Sequence, residues 1–286
     1  MTPIRFLKVA LPAAAIPALF VLFLPADAWP TYVDVMEPLA LFIGSLLALS
    51  VSFHYRKQLR AAFIFLSAFL FIYMLAIIML LSFSPVLTPY LESYLGTAEI
   101  FRLVQGIQFI TYALLFLFCL NLLKVINLRQ LNRNGWIVFA LISIFSIFVA
   151  TYPKLELIKD LPNIGLAAIS LITIRLFDAA LIIIPVLWLY VQYLKSQQRQ
   201  SLTFTVVIFG VVFSTLFDYL FEVITVAFPR LLTEESALYS TIPEMLFIYG
   251  YLIIVVGLYA HLKQDLWGYR IVDRAMVGDS KLVDVQ

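Results

Sequence analysis

The chain has 286 residues, of which 63% are hydrophobic and only 13% charged, with a net charge of +2. Ordinary soluble domains run at about 45–50% apolar and about 25% charged, so a water-soluble globular domain is excluded. So small a net charge gives no basis for a nucleic-acid partner.

Apolar runs of about 20 residues recur along the whole length, as a polytopic helical membrane protein requires. The runs are continuous and do not alternate, which excludes a transmembrane β-barrel. The expected class is therefore an all-α integral membrane protein, a polytopic helical bundle in the plasma membrane. The single cysteine, Cys119, falls mid-span, so one chain can form no disulfide framework.

In chain order, the first apolar stretch runs from about Ile4 to Leu24, with Arg5 and Lys8 at its start and Ala26-Asp27-Ala28 after it. That pattern describes either a cleaved signal segment or a retained helix. Its length, and Pro12 and Pro17 within it, favour the retained helix. Residues 1–28 form this segment, 29–262 a seven-helix bundle and 263–286 a cytoplasmic tail. Within the bundle, spans are predicted near 36–55, 61–84, 98–123, 135–151, 164–194, 202–228 and 241–262. Pro185 gives the long sixth segment a cause for a kink.

Lys and Arg divide unevenly between the two sets of connections. Fourteen fall on one side, among them Arg56, Lys57, Arg60, Lys124, Arg133 and Lys263, against Lys154, Lys159 and Arg230 on the other. By the positive-inside rule the C-terminus is cytoplasmic. The expectation is eight transmembrane helices, or seven plus a cleaved segment.

Seven ionisable residues fall inside the spans: Glu37, Arg102, Arg175, Asp178, Asp218, Glu222 and Glu244. A carboxylate facing lipid costs roughly 2.5–3.5 kcal/mol or more at a helix centre, so these faces should look inward. Asp218 and Glu222 lie four apart on one face of a helix, and Arg175 and Asp178 lie three apart on another. Arg102, Gln105, Gln108 and Tyr112 follow one helix at steps of three and four. A stripe of Glu37, Gly44, Ser45, Ala48 and Ser52 would let a neighbouring helix approach closely.

By depth, Arg175, Asp178 and Asp218 fall near the midplane and the other four toward the outer side. Together they outline a polar funnel entered from outside and closed below by apolar helix. Glu37, Arg102 and Glu244 also suit residues that snorkel to the interface. Five carboxylates against two arginines leave an excess of negative charge, which points to protonated acids or a bound cation.

His54 and His261 both fall at cytoplasmic helix ends. Ligation of a haem by the pair is geometrically open, but interfacial residues are the commoner reading. The last span contains no lysine for a retinal Schiff base. No nucleophile–base, metal-ligand or phosphate-loop spacing appears, so neither enzyme chemistry nor a cofactor is expected.

In layout, a seven-helix block with the short basic loop His54-Tyr55-Arg56-Lys57-Gln58-Leu59-Arg60 resembles the membrane sensor regions found ahead of bacterial histidine kinases. The resemblance covers the spans after residue 36 and implies a ligand-sensing bundle that signals to a partner. The functional expectation is a receptor or sensor-like module binding a small cationic or protonatable ligand from outside. Its partners would be the lipid bilayer and a cytoplasmic or membrane signalling protein. The alternatives are a proton- or cation-coupled transporter and a non-catalytic subunit of a membrane complex.

Overall fold

The computed structural model describes residues 3–25, 28–83, 97–125, 133–159, 179–189, 202–227 and 237–263. The side chains described are those of 8–25, 28–78, 106–124 apart from Gln108, 133–148, 179–189, 203–217 and 244–263. The elements are α1 (Pro3–Phe20), a 3₁₀ turn (Val21–Phe23), α2 (Trp29–Ser52), α3 (Lys57–Phe83), α4 (Thr97–Val125) and α5 (Arg133–Lys159). They continue with α6 (Ala179–Leu189), then α7 (Leu202–Ala227) and α8 (Ala237–Ala260). Among the described residues there is no strand. Three of these helices, over Trp29–Ser52, Lys57–Ile78 and Glu244–Lys263, are long and apolar enough to cross a membrane.

Two boundaries differ from the sequence expectation, for local reasons. α2 starts at Trp29 with a proline in its first turn, where a missing amide costs nothing and φ is already helical. It therefore begins well before residue 36, and Glu37 lies about 12 Å along the helix by the rise per residue, not at its start. α5 runs 27 residues to Lys159, past the expected end at 151.

α2 has the side-chain arrangement expected of a helix bordered by lipid. Its large apolar side chains, Leu39, Phe42, Ile43, Leu46 and Leu49, are exposed, while Ala40, Gly44, Ser45, Ala48 and Ser52 are buried. A water-soluble helix would be arranged the other way. In lipid, small and polar residues belong inside, because close backbone approach and hydrogen bonds hold helices together there. α5 carries the same signature, exposing Trp136, Ile137, Leu141, Ile144, Phe145 and Phe148.

α2, α3, α4, α6, α7 and α8 share one apolar core, centred on Leu41, Phe63, Leu66, Phe118, Leu122, Leu181, Ile208 and Ile254. α1 packs along α8 and meets α2 at its far end, where Tyr32 donates to the Pro17 carbonyl at 2.6 Å and Trp29 Nε1 to the Leu24 carbonyl at 2.9 Å.

α2 and α3 are joined by a reciprocal buried pair. Ser45 Oγ donates to the Ser67 carbonyl at 3.0 Å and Ser67 Oγ to the Ser45 carbonyl at 2.9 Å. Inter-helix polar pairs in membrane proteins are worth about 0.6 kcal/mol on average and up to about 1.7. A Ser45→Ala/Ser67→Ala double-mutant cycle, read by SDS unfolding, is expected to give a coupling energy in the upper part of that range.

Candidate functional site

The two ends of the bundle differ in charge. Among the described side chains the acids are Asp34, Glu37 and Glu244, all toward the Trp29 end. Asp34 and Glu37 are one turn apart on α2, so they share a face. Glu244 comes from the first half of α8, which packs against α2. All three lie within electrostatic reach of one another, with Glu37 half-buried and Asp34 and Glu244 more exposed.

Beside them Val33, Met245 and Ile248 form an apolar cluster packed with Trp29, Tyr32 and Met36. Pro38 follows Glu37 inside α2. Its lack of an N–H removes the amide that would bond the Asp34 carbonyl, leaving an oxygen acceptor beside the carboxylates that the helix ladder does not use.

The structure thus brings together two of the sequence-predicted residues, Glu37 and Glu244, from helices about 200 positions apart in the chain. It adds Asp34, which sequence reasoning missed. The available signal was its i, i+3 spacing to Glu37. Asp218 and Glu222 lie on α7, and Arg102 and Gln105 on α4, but their side chains are outside the described residues, as are Arg175 and Asp178 altogether.

The backbone register still fixes the level of two of them. Gly210 meets Ile254, Ser214 meets Gly250, and Val207 meets Gly257, so paired positions on antiparallel α7 and α8 keep a constant sum. The same register sets Glu244 opposite the stretch between Asp218 and Glu222.

Among the described residues no three His, Cys, Asp or Glu side chains converge as metal ligands would. The carboxylates act on one another through space without forming a chelating cage. A cavity of about 380 Å³ lies elsewhere, between α5, α6 and α7, walled by Leu141, Ile142, Phe145, Ser146, Ile182, Val186 and Leu216. It offers no charged group to a polar ligand.

The opposite end overturns part of the sequence reading. His261, expected at the interface, is 2% exposed. Tyr55 Oη lies 2.6 Å from its Nε2 and Thr203 Oγ1 lies 3.0 Å from its Nδ1. Either neutral tautomer fits, because each hydroxyl can both donate and accept. The ring sits among Tyr55, Phe63 and Phe204, with centroids 5.8, 6.4 and 5.8 Å away.

This end is therefore closed by a buried polar knot, and not by apolar helix alone. Both ring nitrogens of His261 are engaged, and His54 Nδ1 is 2.9 Å from the Ser50 carbonyl, an arrangement that does not present the pair to a haem iron. The knot joins residues 206 and 58 positions apart, a separation that no local pattern announces. Comparison of the chain with protein-family models, with curated proteins and with solved structures finds no match.

Proposed function

We propose that the chain is a multi-pass protein of the plasma membrane, with eight spans if the first is retained and its C-terminus in the cytoplasm. In this reading the Glu37–Glu244 end faces outward and binds a small cation. The protein is then a receptor or sensor-like module whose occupancy is passed to a cytoplasmic or membrane signalling partner. The observation that carries it is the meeting of three carboxylates from α2 and α8 with no described cation among them. Like charges gathered at the edge of a low-dielectric bundle repel, and a bound positive charge turns that cost into a gain.

Since the described carboxylates form no tight cage, the chemistry suits an organic amine or a hydrated monovalent ion better than a chelated divalent metal. Asp218 and Glu222, one helix away at the same level, are counted as part of the site.

The experiment is thermal stability of the detergent-purified protein against a panel of monovalent cations and amines. Wild type is expected to gain stability with at least one of them, and Glu37→Gln and Asp218→Asn to lose that gain. Equal responses in all three proteins would make the carboxylates structural.

A second reading, a cation-coupled transporter, is favoured by the buried polar groups of the other half: Ser45, Ser67, Thr203, Asn121 and His261. Flux in liposomes separates the two, because only a transporter moves the ion that stabilises it.

A further inference from the structure

Arg56, Lys57, Arg60 and Lys263 lie at the end of the bundle opposite the carboxylates, on the same side as Lys124 and Arg133. Arg56, Lys57 and Arg60 are exposed in and just after the turn between α2 and α3, and Lys263 is exposed at the end of the α8 segment. In sequence these groups are about 200 positions apart. The knot brings them together: Tyr55, next to Arg56, bonds His261, two residues before Lys263.

The turn is held in a specific shape, with Lys57 in the left-handed region at φ 50°. That conformation is unfavourable for a non-glycine residue and persists only where its surroundings fix it. Lys263 is oriented along α8, its Nζ 3.4 Å from Tyr259 Oη and 5.6 Å from the centre of that ring. No acid among the described side chains lies at this end.

The depth of the four is equally informative. Lys57 opens one membrane-length helix and Lys263 closes another. Their charges therefore stand at the boundary of the hydrocarbon, the level of lipid phosphates. Topology alone asks for cations on one side. It does not ask that the turn be tied to the end of α8 so that the charges form one surface.

We propose that this surface, built on the α2–α3 turn and the end of α8, docks the headgroups of anionic phospholipids. The inference is independent of the carboxylate site at the other end. Each Lys or Arg near an anionic surface is worth about 1 kcal/mol, roughly fivefold in occupancy.

The test uses the full-length protein in nanodiscs of phosphatidylcholine alone or with phosphatidylglycerol. Retained lipids are read by native mass spectrometry and stability by melting. Wild type is expected to retain phosphatidylglycerol above its bilayer share and to melt higher when it is present. Arg56→Gln/Lys57→Gln/Arg60→Gln should lose tenfold or more of that preference, as three charges at roughly fivefold each allow. It should melt like wild type in phosphatidylcholine, since the three side chains are exposed. Arg56→Lys/Arg60→Lys, which keeps the charge, should behave as wild type. A wild type with no preference, or a triple variant that keeps it, overturns the proposal.

Discussion

Gly257→Ala is expected to destabilise the bundle by about 2 kcal/mol, within the range for overpacking a close-packed interface. A Cβ built on Gly257 would stand 2.9 Å from the Val207 backbone nitrogen and 2.9 Å from Val207 Cγ2. Since one of those atoms is backbone, a rotamer change cannot relieve the contact and α7 must move away from α8.

Gly210 repeats the arrangement one turn further along, its Cβ position 2.7 Å from Ile254 Cγ1 and 2.9 Å from the Ile254 nitrogen. Gly250 does so again, at 2.9 Å from Ser214 Cβ. Three such approaches make α7 and α8 a backbone-to-backbone seam, the packing that membranes favour because lipid tails solvate large apolar side chains as well as a neighbour does.

Trimming the neighbour should not rescue the defect: Val207→Ala/Gly257→Ala should stay destabilised, as the nitrogen remains. Gly106→Ala is the control. A Cβ there meets nothing within 4 Å, so this change should leave stability unaltered or raise it by up to about 1 kcal/mol through helix propensity. SDS unfolding of the variants checks both. Equal effects at positions 257 and 106 would contradict the close seam.

His261→Ala should cost about 3–4 kcal/mol. The change empties a buried ring site, in the range of other buried aromatic truncations, and removes two hydrogen bonds worth about 1 kcal/mol each. The ring also joins α8 to three other parts of the bundle. Tyr55 comes from the α2–α3 turn, Phe63 from α3, and Thr203 and Phe204 from α7. Trp188 of α6 packs edge-on against Phe204 at 4.8 Å.

Tyr55→Phe keeps the stack on Phe63, where ring centroids are 5.5 Å apart, and removes only the hydroxyl. It should cost about 1 kcal/mol. If the contact to Nε2 is real, the two changes are not additive, and their double-mutant cycle should give about 1 kcal/mol of coupling. Strict additivity would place Tyr55 and His261 apart.

Hydropathy made the all-helical character and the membrane-compatible helices legible, because it measures what a segment gains by leaving water. Periodicity also picked out the small-residue stripe of α2. What stayed hidden depends on partners. In sequence Glu37 and Glu244 belong to the outer polar set and also suit interfacial residues, and only the contact of α2 with α8 makes them neighbours. His261 stands beside Lys263 in the sequence and looks solvated. Its burial follows from Tyr55 and Thr203, which fold back onto it from distant segments. The glycines of α7 and α8 carry no sequence signal of their pairing, since the match lies in the antiparallel register and not in either helix.

Calorimetric titration of purified wild type and Glu37→Gln, with the cation that stabilises wild type most, tests the carboxylate site most directly. A saturable heat in wild type that Glu37→Gln lacks is the predicted result. No saturable heat in wild type, or the same isotherm for both proteins, would contradict a cation site at Glu37 and Glu244.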